Sequence, residues 1–278
     1  MQRASGRVLV SVKHGADRTR LERLHQSGCL RLRLPRVAGD VPHGVLINTA
    51  GGLTGGDRLE VEAVLAPGAR LALASQTAER LYRSPTGAAR VDVTLRAGAD
   101  ARLAWLPQET IAFEGAALRR TLDVSLAEGA RFLGVESVVL GREAMGETVR
   151  TLAFRDDWRI RLGGRLLHAE AVRIGADAGR WLERAAGLGQ RRACATVLLV
   201  SPDAPALVRE VRELAGEVGA ADAWTGPAAR LVVRLLAHDG HSLRLRLAAI
   251  LAHLNSARAG LECASNRQSG GLPAVWSL

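Results

Sequence analysis

Apolar and polar residues alternate over 7–13 (RVLVSVK) and 29–34 (CLRLRL), the period of two that marks half-buried β-strands. The alternation returns in three related segments. RLEVEAVLAPGARLALAS begins at Arg58, RVDVTLRAGADARLAWLP at Arg90 and RTLDVSLAEGARFLGVES at Arg120. Each reads as a strand, a turn built on Gly68, Gly98 or Gly129, and a second strand, with the turn glycines 30 and 31 residues apart. Repeats of that length point to stacked β layers rather than a doubly wound sheet. Further strands are expected at 148–154, 158–162 and 165–174, with Gly163-Gly164 as a hairpin turn. SQTAERLYRS (75–84) reads as a single helical turn or a loop. Helical spacing comes late, at 202–218 and at 241–260, the latter closed by Gly260, with a strand at 229–237 between them. The pattern predicts a mainly β fold of stacked β layers with two α-helices toward the C-terminus. No low-complexity linker divides the chain, so 1–278 reads as one domain.

One stretch stands apart. GVLINTAGGLTGGD (44–57) places Gly51, Gly52, Gly55 and Gly56 within six positions, directly after an apolar run. Four glycines together imply a backbone bent or packed where side chains would not fit, and the plain alternative is a tight turn between two strands. A phosphate cradle is excluded. Asp57 follows the last glycine where a P-loop has Lys-Ser/Thr, and Arg58–Val64 reads as a strand, so no helix N-terminus faces the loop.

Composition narrows the function classes. Hydrophobic residues make up 47% and charged residues 24%, the balance of a globular chain. No apolar run approaches a membrane span, and MQRASGRVLVSVK lacks the apolar core of a signal peptide, so no membrane association and a cytoplasmic location are expected. Cys29, Cys194 and Cys263 are far apart, which argues against a disulfide framework or a closed zinc site. The net charge of +10 raises a basic nucleic-acid-binding β-protein as the alternative reading. Arginine is spread evenly, though, and aromatic residues are only 3%, leaving few platforms for bases.

The candidate chemistry is acidic. His238 and His241 have no further ligand at metal spacing and read as surface residues of a polar connection. Ser75, Ser84 and Ser137 lack a nucleophile elbow. Asp156-Asp157 reads as a solvated turn. Asp57 closes the glycine loop, Glu136 interrupts the apolar strand FLGVESVVL, Glu147 follows a glycine, and Glu170 sits in RLLHAEAVRI. Such carboxylates face solvent or pair with arginine; the alternative is that several line a polar passage.

GVLINTAGGLTGGDRL, SQTAERLYRS, WLPQETIAFEGA and LGREAMGE, in that order, resemble the urease accessory protein family UreD (also called UreH), and LPAVWSL resembles its closing Pro-x-x-Trp pattern. The chain departs from the family at Thr49-Ala50, where many relatives have two prolines. It departs again at Ala274, where arginine often precedes the tryptophan, and in the absence of a tryptophan from 241–257. The resemblance implies a β-helix-like scaffold plus two helices, and a role without turnover. It implies work with UreF and the GTPase UreG on apo-urease, passing Ni²⁺ transiently and holding no tight cofactor. It also implies that Asp57 and Glu170, with Glu136 less closely matched, line a nickel passage. Carboxylates suit a conduit, because imidazole and thiolate would hold Ni²⁺ too tightly to pass it on.

Overall fold

The computed structural model describes residues 3–16, 18–35, 41–175, 177–226, 229–255 and 272–276. The strands are β1 (Ser5–His14), β2 (Thr19–Gly28), β3 (Leu30–Arg33), β4 (His43–Asn48), β5 (Arg58–Leu65) and β6 (Arg70–Ser75). They continue as β7 (Glu79–Leu81), β8 (Ala89–Ala97), β9 (Arg102–Leu106), β10 (Thr110–Ala112), β11 (Ala116–Leu126) and β12 (Arg131–Leu140). The last are β13 (Leu152–Leu162), β14 (Arg165–Ile174), β15 (Ala193–Val200), β16 (Gly219–Trp224) and β17 (Arg230–Ala237). Helix α1 spans Ala178–Glu183, α2 Val208–Ala215 and α3 Gly240–Leu254.

The three repeats form a solenoid. Their first strands pair in parallel as β5-β8-β11 and their second strands as β6-β9-β12, so each repeat adds one rung to each of two sheets. The first sheet runs β14-β13-β11-β8-β5-β1-β2 and the second β16-β17-β15-β12-β9-β6-β4-β3. Register corrects one detail of the repeat. Leu65 pairs with Ala97, and Ala97 with Leu126, so the structural equivalents at the turn are Gly68, Asp100 and Gly129. All three have left-handed backbone, with φ of 69°, 56° and 73°. Aspartate tolerates that region better than most side chains. Gly98 instead permits close approach, since a Cβ there would lie 2.8 Å from the backbone nitrogen of Pro67.

Alternation explains where each face goes. Inward rows of the first sheet are apolar, for example Val61, Val93, Leu122 and Trp158 in register across four strands. They pack against the second sheet to form the core between the sheets. Outward positions carry charge, and many of the arginines pair there, as in Arg58–Glu60 at 2.8 Å and Arg90–Asp92 at 2.7 Å. The other face of the second sheet is apolar as well, and α2 and α3 cover it with Val211, Leu243, Leu247 and Leu251. Asp239 caps α3, its carboxylate accepting from the Ser242 backbone N–H at 2.7 Å and hydroxyl at 2.8 Å. His238 and His241 therefore flank a helix cap. Buried Trp276 donates its indole N–H to the Leu106 carbonyl at 2.9 Å, docking the Pro-x-x-Trp end against β9.

Several expectations change. SQTAERLYRS contains β7, a short strand that pairs in parallel with β10. The strands expected at 148–154 and 158–162 are one strand, β13, and Asp156-Asp157 lies buried within it instead of at a solvated turn. Strands β2, β10, β15 and β16 and the short helix α1 had no sequence expectation. Helix α3 ends at Leu254; Gly260 and Cys263 lie outside the described residues.

Candidate functional site

The glycine loop is wedged against the β7 rung. Gly51, Gly52 and Gly56 have φ of 75°, 146° and 89°. Gly55 has an ordinary φ, but a Cβ on it would lie 2.3 Å from the Thr86 carbonyl oxygen. Tyr82 covers Gly52 and donates its hydroxyl to the Gly51 carbonyl at 3.2 Å. Leu53 and Thr54 bond along 80–83 through backbone and hydroxyl. The loop is thus a packed wall rather than a permissive turn.

Three cavities lie beside this wall and between the sheets. A mouth of about 90 Å³ lies between Gly51-Gly52 and Gln76–Arg80. A second cavity of about 90 Å³ lies between the sheets and shares Leu46, Asn48, Ser75 and Glu79 with the mouth. A chamber of about 610 Å³ follows beneath β13, β14 and β15, and shares Arg120 and Glu136 with the second cavity. Glu79 and Asn48 thus lie between the mouth and the second cavity, and Arg120 and Glu136 between the second cavity and the chamber.

Between the second cavity and the chamber lies a buried ion cluster. Arg120 and Glu136 side chains are 6% and 4% exposed, and the guanidinium touches the Glu136 carboxylate through Nη1. Arg120 also makes a fork with Asp156, Nε to Oδ1 at 3.0 Å and Nη2 to Oδ2 at 2.7 Å, and Nη1 donates to Thr110 Oγ1 at 3.2 Å. Trp105 donates its indole N–H to Glu136 Oε1 at 2.9 Å. Burial pushes the Glu136 carboxyl above its usual range, while Arg120 pulls it down and Asp156 adds to the rise. For Arg120 burial acts to lower the pKa, but Asp156 and Glu136 together hold it above its ordinary value. A bidentate arginine among two carboxylates is the geometry that lets a buried charge persist.

Glu170 lies in the chamber on β14, its carboxylate accepting from Arg234 at 2.6 Å. The Glu170 side chain is 6% exposed and the Arg234 side chain 60%, so the guanidinium faces outward over a buried carboxylate. Cys194 also lines the chamber, and burial pushes its thiol up to about 11, which keeps it protonated. Between the mouth and the second cavity, both Glu79 oxygens lie 3.1 Å from Asn48 Nδ2, and burial pushes that carboxyl up to about 7.

The structure brings Glu136 and Glu170 to one chamber but leaves Asp57 apart. Asp57 lines none of the three cavities. Its Oδ1 accepts from the Ala4 backbone N–H and its Oδ2 from Thr54 N–H, both at 2.8 Å, which ties the N-terminal strand to the glycine loop. Glu147 likewise holds a turn, bonding Arg142 and the Glu114 N–H. Sequence reasoning missed Glu79, Arg120 and Asp156. The polarity break at Arg120 and Asp156 was the available signal, because both fall on the inward phase of otherwise apolar strands. Among the described residues, no three His, Cys, Asp or Glu side chains are placed to hold a metal together, and no helix is long and apolar enough to cross a membrane.

Fold and site together define a stacked-strand scaffold with adjacent cavities lined by buried carboxylates. Comparison places that scaffold: residues 4–269 match the family described as UreD urease accessory protein. The chain is 44% identical over 279 residues to urease accessory protein UreD 1 of Brucella abortus, covering all of this chain and 95% of the relative. It is 46% identical over 278 residues to urease accessory protein UreD of Mesorhizobium japonicum, with the same coverage. The chain belongs to the UreD urease accessory protein family.

Proposed function

We propose that the chain is a nickel conduit in urease maturation: with UreF and UreG it docks on apo-urease and passes Ni²⁺ along its internal cavities, in the cytoplasm, without turnover of its own. The observation that carries this reading is the alignment of Glu79, Glu136, Asp156 and Glu170 along three cavities that share lining residues. Single carboxylates hold a hydrated divalent cation loosely, since a full oxygen cage is what gives high affinity. Ni²⁺ then moves as cargo, exchanged from one oxygen ligand to the next. Asp57 belongs to the frame of the route, not to its lining.

The arginines fit the same role. Two guanidiniums, Arg120 and Arg234, offset much of the charge of the three inner carboxylates Glu136, Asp156 and Glu170 when no metal is present. An arriving cation competes with Arg120 or Arg234 for the same oxygens. The outer face of the first sheet argues against the nucleic-acid alternative, because its arginines alternate with acceptor carboxylates. The test is deletion of the chain from cells that make urease. Urease subunits should accumulate nickel-poor and inactive at ordinary nickel levels. Normal nickel content without the chain would end this reading.

A further inference from the structure

Glu79 differs from the other carboxylates of the route. Among the described residues Glu136 and Asp156 pair with Arg120 and Glu170 pairs with Arg234, whereas Glu79 forms no ion pair. Its one side-chain partner is Asn48, whose orientation is fixed from the other side. Asn48 Oδ1 accepts from the Ala50 backbone N–H at 3.0 Å, which turns Nδ2 toward both Glu79 oxygens. Ala50 opens directly into Gly51-Gly52, so the glycine loop sets the asparagine that sets the glutamate. Glu79 is also the carboxylate shared by the mouth and the second cavity.

We propose that Glu79, presented by Asn48 behind the Gly51-Gly52 loop, is the entrance site of the route, where a divalent cation from outside is first held before moving inward. An unpaired carboxylate in a small, partly enclosed mouth attracts a cation without having to release an arginine first. The Glu79 carboxylate alone supplies oxygen ligands there, with Asn48 donating to it, so a cation held by so few ligands stays exchangeable. Gly52 lets the loop close against Tyr82, since a Cβ there would lie 2.4 Å from the ring. This inference rests on the conduit reading and adds its point of entry.

The probe is Mn²⁺, added to the ¹⁵N-labelled full chain while amide signals are followed by NMR. Paramagnetic broadening should centre on Gly51, Gly52, Thr77 and Ala78 at low Mn²⁺. Glu79→Gln, which keeps the shape and the asparagine contact, should weaken that local broadening at least tenfold in Mn²⁺ concentration. Asn48→Asp, adding a second carboxylate, should strengthen it. Nickel content of urease matured with the Glu79→Gln chain should fall, with the amount of complex unchanged. Broadening untouched by Glu79→Gln, or centred on the outer charged face, would overturn the entrance site. Local broadening abolished with nickel loading intact would overturn it too, as a site off the route. Normal urease nickel in the absence of the whole chain would instead remove the conduit reading itself, whatever Mn²⁺ does at Glu79.

Discussion

Arg120 and Asp156 stand opposite each other on adjacent parallel strands, in the inward row that Leu59 and Val91 fill on the two preceding strands. The solenoid thus changes an apolar rung for an ionic one where the second cavity meets the chamber. Removing one partner of such a buried pair leaves the other charge uncompensated. Arg120→Met should therefore lower stability by about 3–5 kcal/mol in urea unfolding. Continuing the apolar row with Arg120→Leu and Asp156→Val, together with Glu136→Gln so that no buried carboxylate loses its guanidinium, should recover most of that loss, because well-packed hydrophobic residues replace buried pairs with little penalty. Yet this combined variant should load urease poorly. If it loads nickel normally, the cluster serves only the fold.

The glycine loop makes a sharper claim about space than about flexibility. At Gly55 a side chain would meet the Thr86 and Gly87 carbonyls, which are backbone and cannot swing away. Gly55→Val should cost about 2–4 kcal/mol, with partner binding reduced in parallel. An unchanged melting temperature would show that this wall can move.

Asp57→Ala should behave as the loss of two structural hydrogen bonds. A fall of about 1–3 kcal/mol is expected, because the Ala4 and Thr54 N–H groups lose their acceptors. Nickel loading by this variant should track the amount of folded complex recovered. Loading that collapses while the complex stays intact would return Asp57 to the route.

Glu79 gives a pH signature without metal. Burial raises its carboxyl from 4.5 to about 7 in the folded chain, so folding favours the protonated form. That contribution is fully present below the unfolded pKa and is lost as pH rises through about 7. Glu79→Gln lacks the titration. In the presence of a chelator, the variant should gain relative to the parent on going from acid to mildly alkaline pH, by roughly 1–3 kcal/mol. Parallel stability curves for the two chains would contradict the burial of a titrating carboxyl here.

Much of the scaffold was legible because alternation and turn glycines report directly on stacked strands. The turn equivalence was misread at Gly98 since composition shows a glycine but not the register, which places Asp100 at the left-handed position. Strand β15 (ACATVLLV) is apolar toward both the inner core and the helices, so it shows no period of two. Strand β2 is an edge strand with mostly exposed side chains, and its pattern resembles a polar loop. Of the site, Glu136 and Glu170 stood out as charges in apolar strands. Glu79 did not, because β7 is three residues long and its burial comes from the glycine loop folding over it. Asp156 was lost in an acidic dipeptide whose two members pair with different arginines, Arg120 inside and Arg155 outside.

The central claim is that buried carboxylates of this chain carry nickel to urease. Its most direct test is the nickel content of urease matured with Glu136→Gln and Glu170→Gln combined, measured beside the amount of complex with UreF and UreG. Both substitutions keep side-chain volume and leave Arg120 joined to Asp156. The conduit account predicts complex at parental levels and urease with several-fold less nickel. Full nickel loading of urease by the double variant would contradict it.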